Sequence, residues 1–445
     1  MNSGQVAPHN LSCTPSRWYT HYFHLPADQK HATFNLAKAK MGAEQFEEFK
    51  TPNFAKLATL DCRVLLEYDH VEPNARSAQA ELVKSYMHCV DFIPTHREYV
   101  SSGYATEPML SEAAARILNS HHPFKNIKDY APEILAQALR GGLLARGERG
   151  ELIARTLLTV AHDLAILTKP QQYPLKKFQP HFHRPIRLVD LLENLLKKEV
   201  WDTVRNASPF HAYPDSVPLE TAFEDAWVNF SCFARLWDYE SFSLECAVFC
   251  LHRGEAMQTY LNRPNQHIGI PIVFGDPDTT QIAVENMSIA QFQIKNSAKH
   301  SCVDPDPTLI GKVAGTLPIL SIVMQLGVNQ DERVVVTTTP KGGDGSTTRS
   351  VDMSSPSDIQ RRHYVITLYG CTDETYSCIP QSGASMFPRL LQAHDPHQWV
   401  DERPELMMYR RRRHICLNDL SHFYVTKQKE PEDPKKSKKS TKSKK

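Results

Sequence analysis

The sequence predicts an α/β or α+β core, and three observations carry that reading. Residues 149–168 set Leu152, Ala154, Leu157, Leu158, Ala161, Leu164 and Ala165 in a broad apolar stripe at helical period. Downstream, IGIPIVF (Ile268–Phe274) and MSIAQFQIK (Met287–Lys295) read as strands joined by the turn-rich GDPDTTQIAVEN. Further strand-like stretches follow, so helices and strands mix through the centre of the chain.

Element by element, the first 55 residues mix aromatics and histidines, with one helix expected near Ala37–Lys50. Cys62–Tyr68 (CRVLLEY) reads as a buried strand, Ala78–Met87 as a short helix and Glu98–Tyr104 as a strand or turn. Met109–Leu118 and Tyr130–Leu144 have helical spacing, as does Ile186–Glu199. The aromatic-rich Ala222–Trp237 reads as a strand and Phe242–Met257 as a helix. Leu317–Met324, Arg333–Thr338 and His363–Tyr369 read as strands, with a polar loop before the last. The chain then divides into an N-terminal mixed elaboration (1–105), a core (106–330), a C-terminal β-containing region (331–430) and a disordered lysine-rich tail (431–445).

With 41% apolar residues in 445, the chain can bury a substantial core. The net charge is +1, yet seven lysines lie in PKKSKKSTKSKK; without them the remainder carries −6, one minus seven. A mildly acidic body gives no global field for nucleic acid, so phosphate binding must come from a local patch or the tail. The ten cysteines are scattered rather than arranged as a framework. The start has no apolar leader, and the longest mostly apolar run is too short to span a bilayer. These features predict an intracellular protein with reduced thiols and no membrane partner.

In a strand, residues two apart share a face, so Gln293 and Lys295 look out together. If the two central strands form an antiparallel hairpin, His267 lies near Lys295. Asp276 and Asp278 lie at the far end, roughly 20 Å away at about 3.3 Å per residue. Glu151, at the mouth of the long helix, can bring a carboxylate to the same spot. A metal-dependent nuclease needs oxygen ligands for a divalent cation and a lysine to orient water and steady charge. Glu151, Gln293 and Lys295 supply part of that set, with one carboxylate missing. The bland alternatives are a glutamate favouring its own helix start, a solvated strand-end lysine and a turn histidine.

The stretches RGELIARTLLTVAHD (Arg149–Asp163), RGEAMQTYLNRPNQHIGIPIVFG (Arg253–Gly275) and AQFQIKNS (Ala290–Ser297) resemble a large family of uncharacterised fungal proteins. That family is similar to the nuclease-like region of Crinkler-type proteins, whose core resembles the restriction-endonuclease-like, PD-(D/E)XK fold. The likeness extends from about Cys62 to Met324. It implies a restriction-endonuclease-like core, a catalytic set of Glu151, Gln293 and Lys295, and Mg or Mn held at Glu151 and at the position of His267. The family has its metal-binding aspartate where this chain has His267. Histidine suits Zn or Mn better than Mg, so the resemblance implies a degraded metal site. Two functions follow as expectations: a nuclease-like protein of mobile-element or effector ancestry acting on nucleic acid in the nucleus, or a non-catalytic protein-interaction module that keeps the fold only.

Other motifs have bland readings. His181-Phe182-His183 has metal-like spacing but reads as a loop between prolines. Cys246 and Cys250, one helical turn apart, read as a buried helix face, and Cys371 and Cys378 lack the second pair a zinc site needs. Gly342–Ser346 lacks the Gly-Lys-Ser/Thr ending of a phosphate loop. Arg410–Arg413 is either a solvated helix face or a nucleic-acid or import patch, and the lysine tail suits acidic partners or a nuclear import receptor.

Overall fold

The structure is a computed structural model. It describes residues 25–69, 72–93, 101–104, 107–145, 149–174, 180–210, 216–236, 243–259, 267–276, 279–297, 317–328, 335–337, 362–381 and 385–392. The described residues up to Leu391 belong to one compact unit. The glycine-rich loop 342–346, Arg410–Arg413 and the lysine tail lie outside the described residues.

The first part of the described chain is helical: α1 (Ala27–Lys40), α2 (Phe54–Val64), α3 (Pro73–Ser85), the small hairpin β1 (Cys89–Phe92) and β2 (Ser101–Gly103), then α4 (Pro108–Leu118), α5 (Ile127–Arg140) and the long α6 (Arg149–Thr168). Next come β3 (Ile186–Arg187), α7 (Leu188–Leu195), α8 (Lys198–Val204), α9 (Leu219–Ala222), β4 (Ala226–Val228), β5 (Cys232–Arg235), α10 (Leu244–Arg253) and β6 (Glu255–Gln258). β7 (Ile268–Phe274), β8 (Met287–Lys295), β9 (Ile319–Gln325), β10 (Val335–Thr337), β11 (His363–Tyr369) and α11 (Met386–Gln392) complete the order. This mixture of helix and sheet agrees with the α/β expectation.

Among the described residues the main sheet has nine strands, with the path β10-β11-β9-β8-β7-β4-β3 and β5-β6 joined at β7. β7 and β8 pair antiparallel, with Ile268 opposite Phe292. β8–β9 and β9–β11 are parallel, with Lys295 beside Gln325 and Ser321 beside Val365. Parallel neighbours need covered faces, and the strands supply apolar side chains for both. Ile268, Ile270, Phe292, Ile294, Ile322 and Ile366 join α6 and α7 in the larger core. On the opposite face Val273, Met287, Ile289 and Ile319 pack with Leu244, Ala247 and Leu251 of α10. Burying a side chain such as Phe292 contributes roughly 1.5–3 kcal/mol.

Several sequence expectations need correction. Cys62–Val64 is the last turn of α2 rather than a strand; Asn53 caps that helix by accepting from Lys56 N at 3.0 Å, and Leu65 ends it at φ 53°. Ile186–Glu199 is not one helix: Leu196 is extended at φ −99°, ψ 147°, between α7 and α8. Ala222–Trp237 splits into the end of α9 and strands β4 and β5. The helix expected over Phe242–Met257 stops at Gly254 and gives way to β6. No helix among the described residues is long and apolar enough to cross a membrane.

Candidate functional site

The Arg-Gly-Glu start of α6 reaches the end of β8 because each of its residues does a different job. Arg149 is buried and donates to Leu390 O at 3.4 Å, fixing the first turn. Gly150 lets the helix approach the strand: a Cβ there would lie 3.2 Å from Ile294 Cγ2 and 3.4 Å from Asn296 Cβ. Glu151 follows, and its Oε1 lies 3.0 Å from His267 Nδ1. From the other side, a Cβ on Gly327 would sit 2.8 Å from Asn296 C. The backbone just after Lys295 is thus gripped between two glycines on different elements.

His267 immediately precedes β7, and its backbone N donates to Phe292 O at 3.1 Å. Continuing the antiparallel register places it opposite Gln293. Gln293 is buried, while Lys295, two residues on along the same face, is half-buried at the strand end. The four predicted residues therefore gather around the end of one hairpin. Asp276 lies beyond the other end of β7, as the strand geometry requires, and Asp278 lies outside the described residues. Burial works to raise the Glu151 carboxyl, but its hydrogen bond to His267 and the imidazole charge outweigh that and hold it below the ordinary carboxylate value. The pair is a compact acid–imidazole unit with a lysine nearby.

Sequence reasoning missed the breadth of this polar face. Gln291 shares it with Gln293 and Lys295, and Ser321 and Gln325 continue it onto β9. Ser321 Oγ lies 2.8 Å from His363 Nε2 and donates to Gln291 Oε1 at 3.4 Å. The signal was present as period-two polarity in AQFQIK, ILSIVMQ and HYVIT, which the strand assignments used only for burial.

The His181–His183 stretch is a structural anchor. Its three backbone N–H groups donate to the buried Glu112 carboxylate at 2.6, 2.8 and 2.8 Å. His183 Nδ1 lies 2.9 Å from Ser231 Oγ. Burial, opposed by the Glu112 charge and aided by His162 and Arg63, lowers its pKa to about 4. The unfolded chain binds a proton at this histidine below pH 6.5, whereas the native state binds one only below about 4. Stability present above pH 6.5 is therefore lost as the pH falls through that window, by about 3 kcal/mol from this group. Urea midpoints at pH 7 and pH 4.5 should fall less steeply in His183→Gln than in wild type; equal slopes would refute the assignment.

Among the described residues no three His, Cys, Asp or Glu side chains form a metal-binding group. Cys371 and Cys378 are buried in the core, and burial pushes the Cys378 thiol up to about 12. A family model described as "Domain of unknown function (DUF8736)" matches residues 44–310. Neither the curated proteins nor the solved structures give a match.

Proposed function

The chain belongs to the DUF8736 family, a domain of unknown function, and for this member we propose a nuclease-like, nucleic-acid-binding protein with a degraded metal site on a restriction-endonuclease-like core. The observation that carries this reading is the 3.0 Å approach of Glu151 to His267 at the hairpin end where Gln293 and Lys295 share a face. A helix-borne carboxylate and a strand-start histidine meet beside a Gln-x-Lys pair, which is part of the set that metal-dependent phosphodiester chemistry uses, with one carboxylate missing.

The donor set does not fit magnesium. Mg²⁺ takes octahedral oxygen ligands, commonly one or two carboxylates with waters. Here Glu151 is the one carboxylate of the cluster, and its Oε1 already lies 3.0 Å from an imidazole nitrogen. Mn²⁺ tolerates the nitrogen ligand better, but no catalytic step is assigned to either ion. What the residues themselves offer is a cationic strand end: Lys295 contacts a phosphate, and Gln293 supplies an amide beside it. The lysine tail adds non-specific attraction to nucleic acid and a sequence suited to a nuclear import receptor.

Single- and double-stranded DNA and RNA, incubated with Mg²⁺ or Mn²⁺, should stay uncut by wild type and by Lys295→Ala alike. Binding to the same nucleic acids should weaken in Lys295→Ala, with the salt slope reduced by about one. His267→Asp, which restores a second carboxylate, should raise Mn²⁺ affinity. Cleavage by wild type that vanishes in Lys295→Ala would show instead an active nuclease that tolerates His267. Folded protein that neither cuts nor binds would favour a protein-interaction module.

A further inference from the structure

A pair of thiols on α10 takes no part in the reading given to Glu151 and Lys295. Cys246 and Cys250 stand one turn apart on this helix, with their sulfurs 3.9 Å from each other. Cys250 is buried beside the smaller core, and Cys246 is half-exposed. Ser243 caps the helix by accepting from Cys246 N at 3.2 Å, and Gly254 closes its other end in the left-handed region. The two thiols are thus held on a helix fixed at both ends, with one sulfur inside and one reachable from solvent.

We propose that Cys246 and Cys250 form a two-thiolate chelate for a soft, thiophilic cation, with monovalent copper as the representative ion. At metal–sulfur distances of about 2.3 Å, sulfurs 3.9 Å apart subtend about 116° at the ion. That angle lies between the trigonal and tetrahedral values, so chelation requires no unwinding of α10. Thiolate donors select soft ions such as Cu(I) over hard ones. A disulfide is the poorer alternative, since its bond length of about 2.05 Å would require the sulfurs to close by nearly half their separation within one helix. Binding deprotonates both thiols and a small solvent thiol: three Cu–S bonds form, three S–H bonds break, and three protons leave to solvent, which completes a trigonal set with copper still monovalent. Glu255, whose charge bears on both thiols, lies at the start of the adjoining strand β6 and disfavours a more negative complex than this.

Fully reduced, full-length protein is titrated anaerobically with Cu(I) against a chromophoric Cu(I) chelator, with excess glutathione present. Wild type and the control Cys89→Ser, which lacks an exposed thiol elsewhere, should retain one equivalent that Cys246→Ser holds about 100-fold more weakly, the loss expected for breaking a chelate. Cys250→Ser should match Cys246→Ser. Because Cys250 is buried and its replacement can unfold the protein, X-ray absorption on the wild-type complex provides a second readout, with three sulfurs expected at the copper. Unchanged retention in Cys246→Ser, surrender of all copper to glutathione by wild type, or fewer than three sulfurs at the copper would each overturn the proposal.

Discussion

Asp163→Ala should destabilise the protein by about 3–5 kcal/mol, the cost of leaving a buried charge without its partner. Arg63, on α2, has no exposed side-chain surface and is held by Asp163 of α6 through two parallel bonds of 3.0 and 2.7 Å. Its Nε donates to Ser231 O at 2.5 Å, and Asn119, at the end of α4, donates to Asp163 Oδ2 at 2.8 Å. Burial alone would raise the Asp163 carboxyl, but the guanidinium charge overcomes it and keeps the group below the ordinary carboxylate value. The Arg63–Asp163 pair therefore joins two helices, the end of a third and the loop before β5. Asp163→Asn should cost nearly as much, because it keeps the shape and still strands Arg63. Replacing both members by apolar residues should recover much of the loss. Chemical denaturation measures each step, and a loss below about 1 kcal/mol in Asp163→Ala would mean that the pair behaves as a solvated one.

Gly254→Ala should cost about 2–4 kcal/mol from two separate causes. Gly254 ends α10 at φ 64°, where a side chain costs about 1–2 kcal/mol. A Cβ there would also lie 2.1 Å from Cε1 of the buried His183 ring, and overpacking typically costs about 1–3 kcal/mol. The ring cannot easily withdraw, because Ser231 holds its Nδ1 and Glu112 accepts from the backbone N–H groups of Phe182 and of His183 itself. A double-mutant cycle separates the causes. In a His183→Ala background the clash is gone, so Gly254→Ala should cost only the backbone share. Additive costs would show that the ring and the glycine do not meet.

The hairpin end was legible in the sequence because strand geometry is nearly rigid. With β7 and β8 antiparallel, the neighbours of Lys295 and the distance of Asp276 follow from strand rise alone. Glu151 is legible as the acid at the mouth of the long helix and through the resemblance, but its approach to His267 depends on Gly150, whose role shows only in three dimensions. The break at Leu196 was not legible: LLENLLKKEV has unbroken helical spacing. The chain opens there because Leu196 bridges to Tyr376 and Lys197 N donates to Thr375 O at 2.9 Å. A partner so distant in sequence overrides local propensity. The misreading of Cys62–Tyr68 had a nearer cause. The cap at Asn53 and the alanines of FAKLATL mark a helix start, and a window opened at Cys62 misses both.

The Arg63 cluster also bears on the order in which the molecule is made. Arg63 leaves the ribosome 100 residues before Asp163 and 168 before Ser231. At roughly 5–20 residues per second, the nascent chain waits several seconds for the carboxylate and longer for the carbonyl. During that interval α2 cannot bury its guanidinium without a severe desolvation penalty. The early helices must therefore remain loosely associated and wet until α6 has emerged. The sheet imposes a later wait of the same kind, since β9 has no parallel neighbour on its outer side before His363–Tyr369 is synthesised. A chain ending between residues 63 and 163 therefore holds Arg63 without either of its partners.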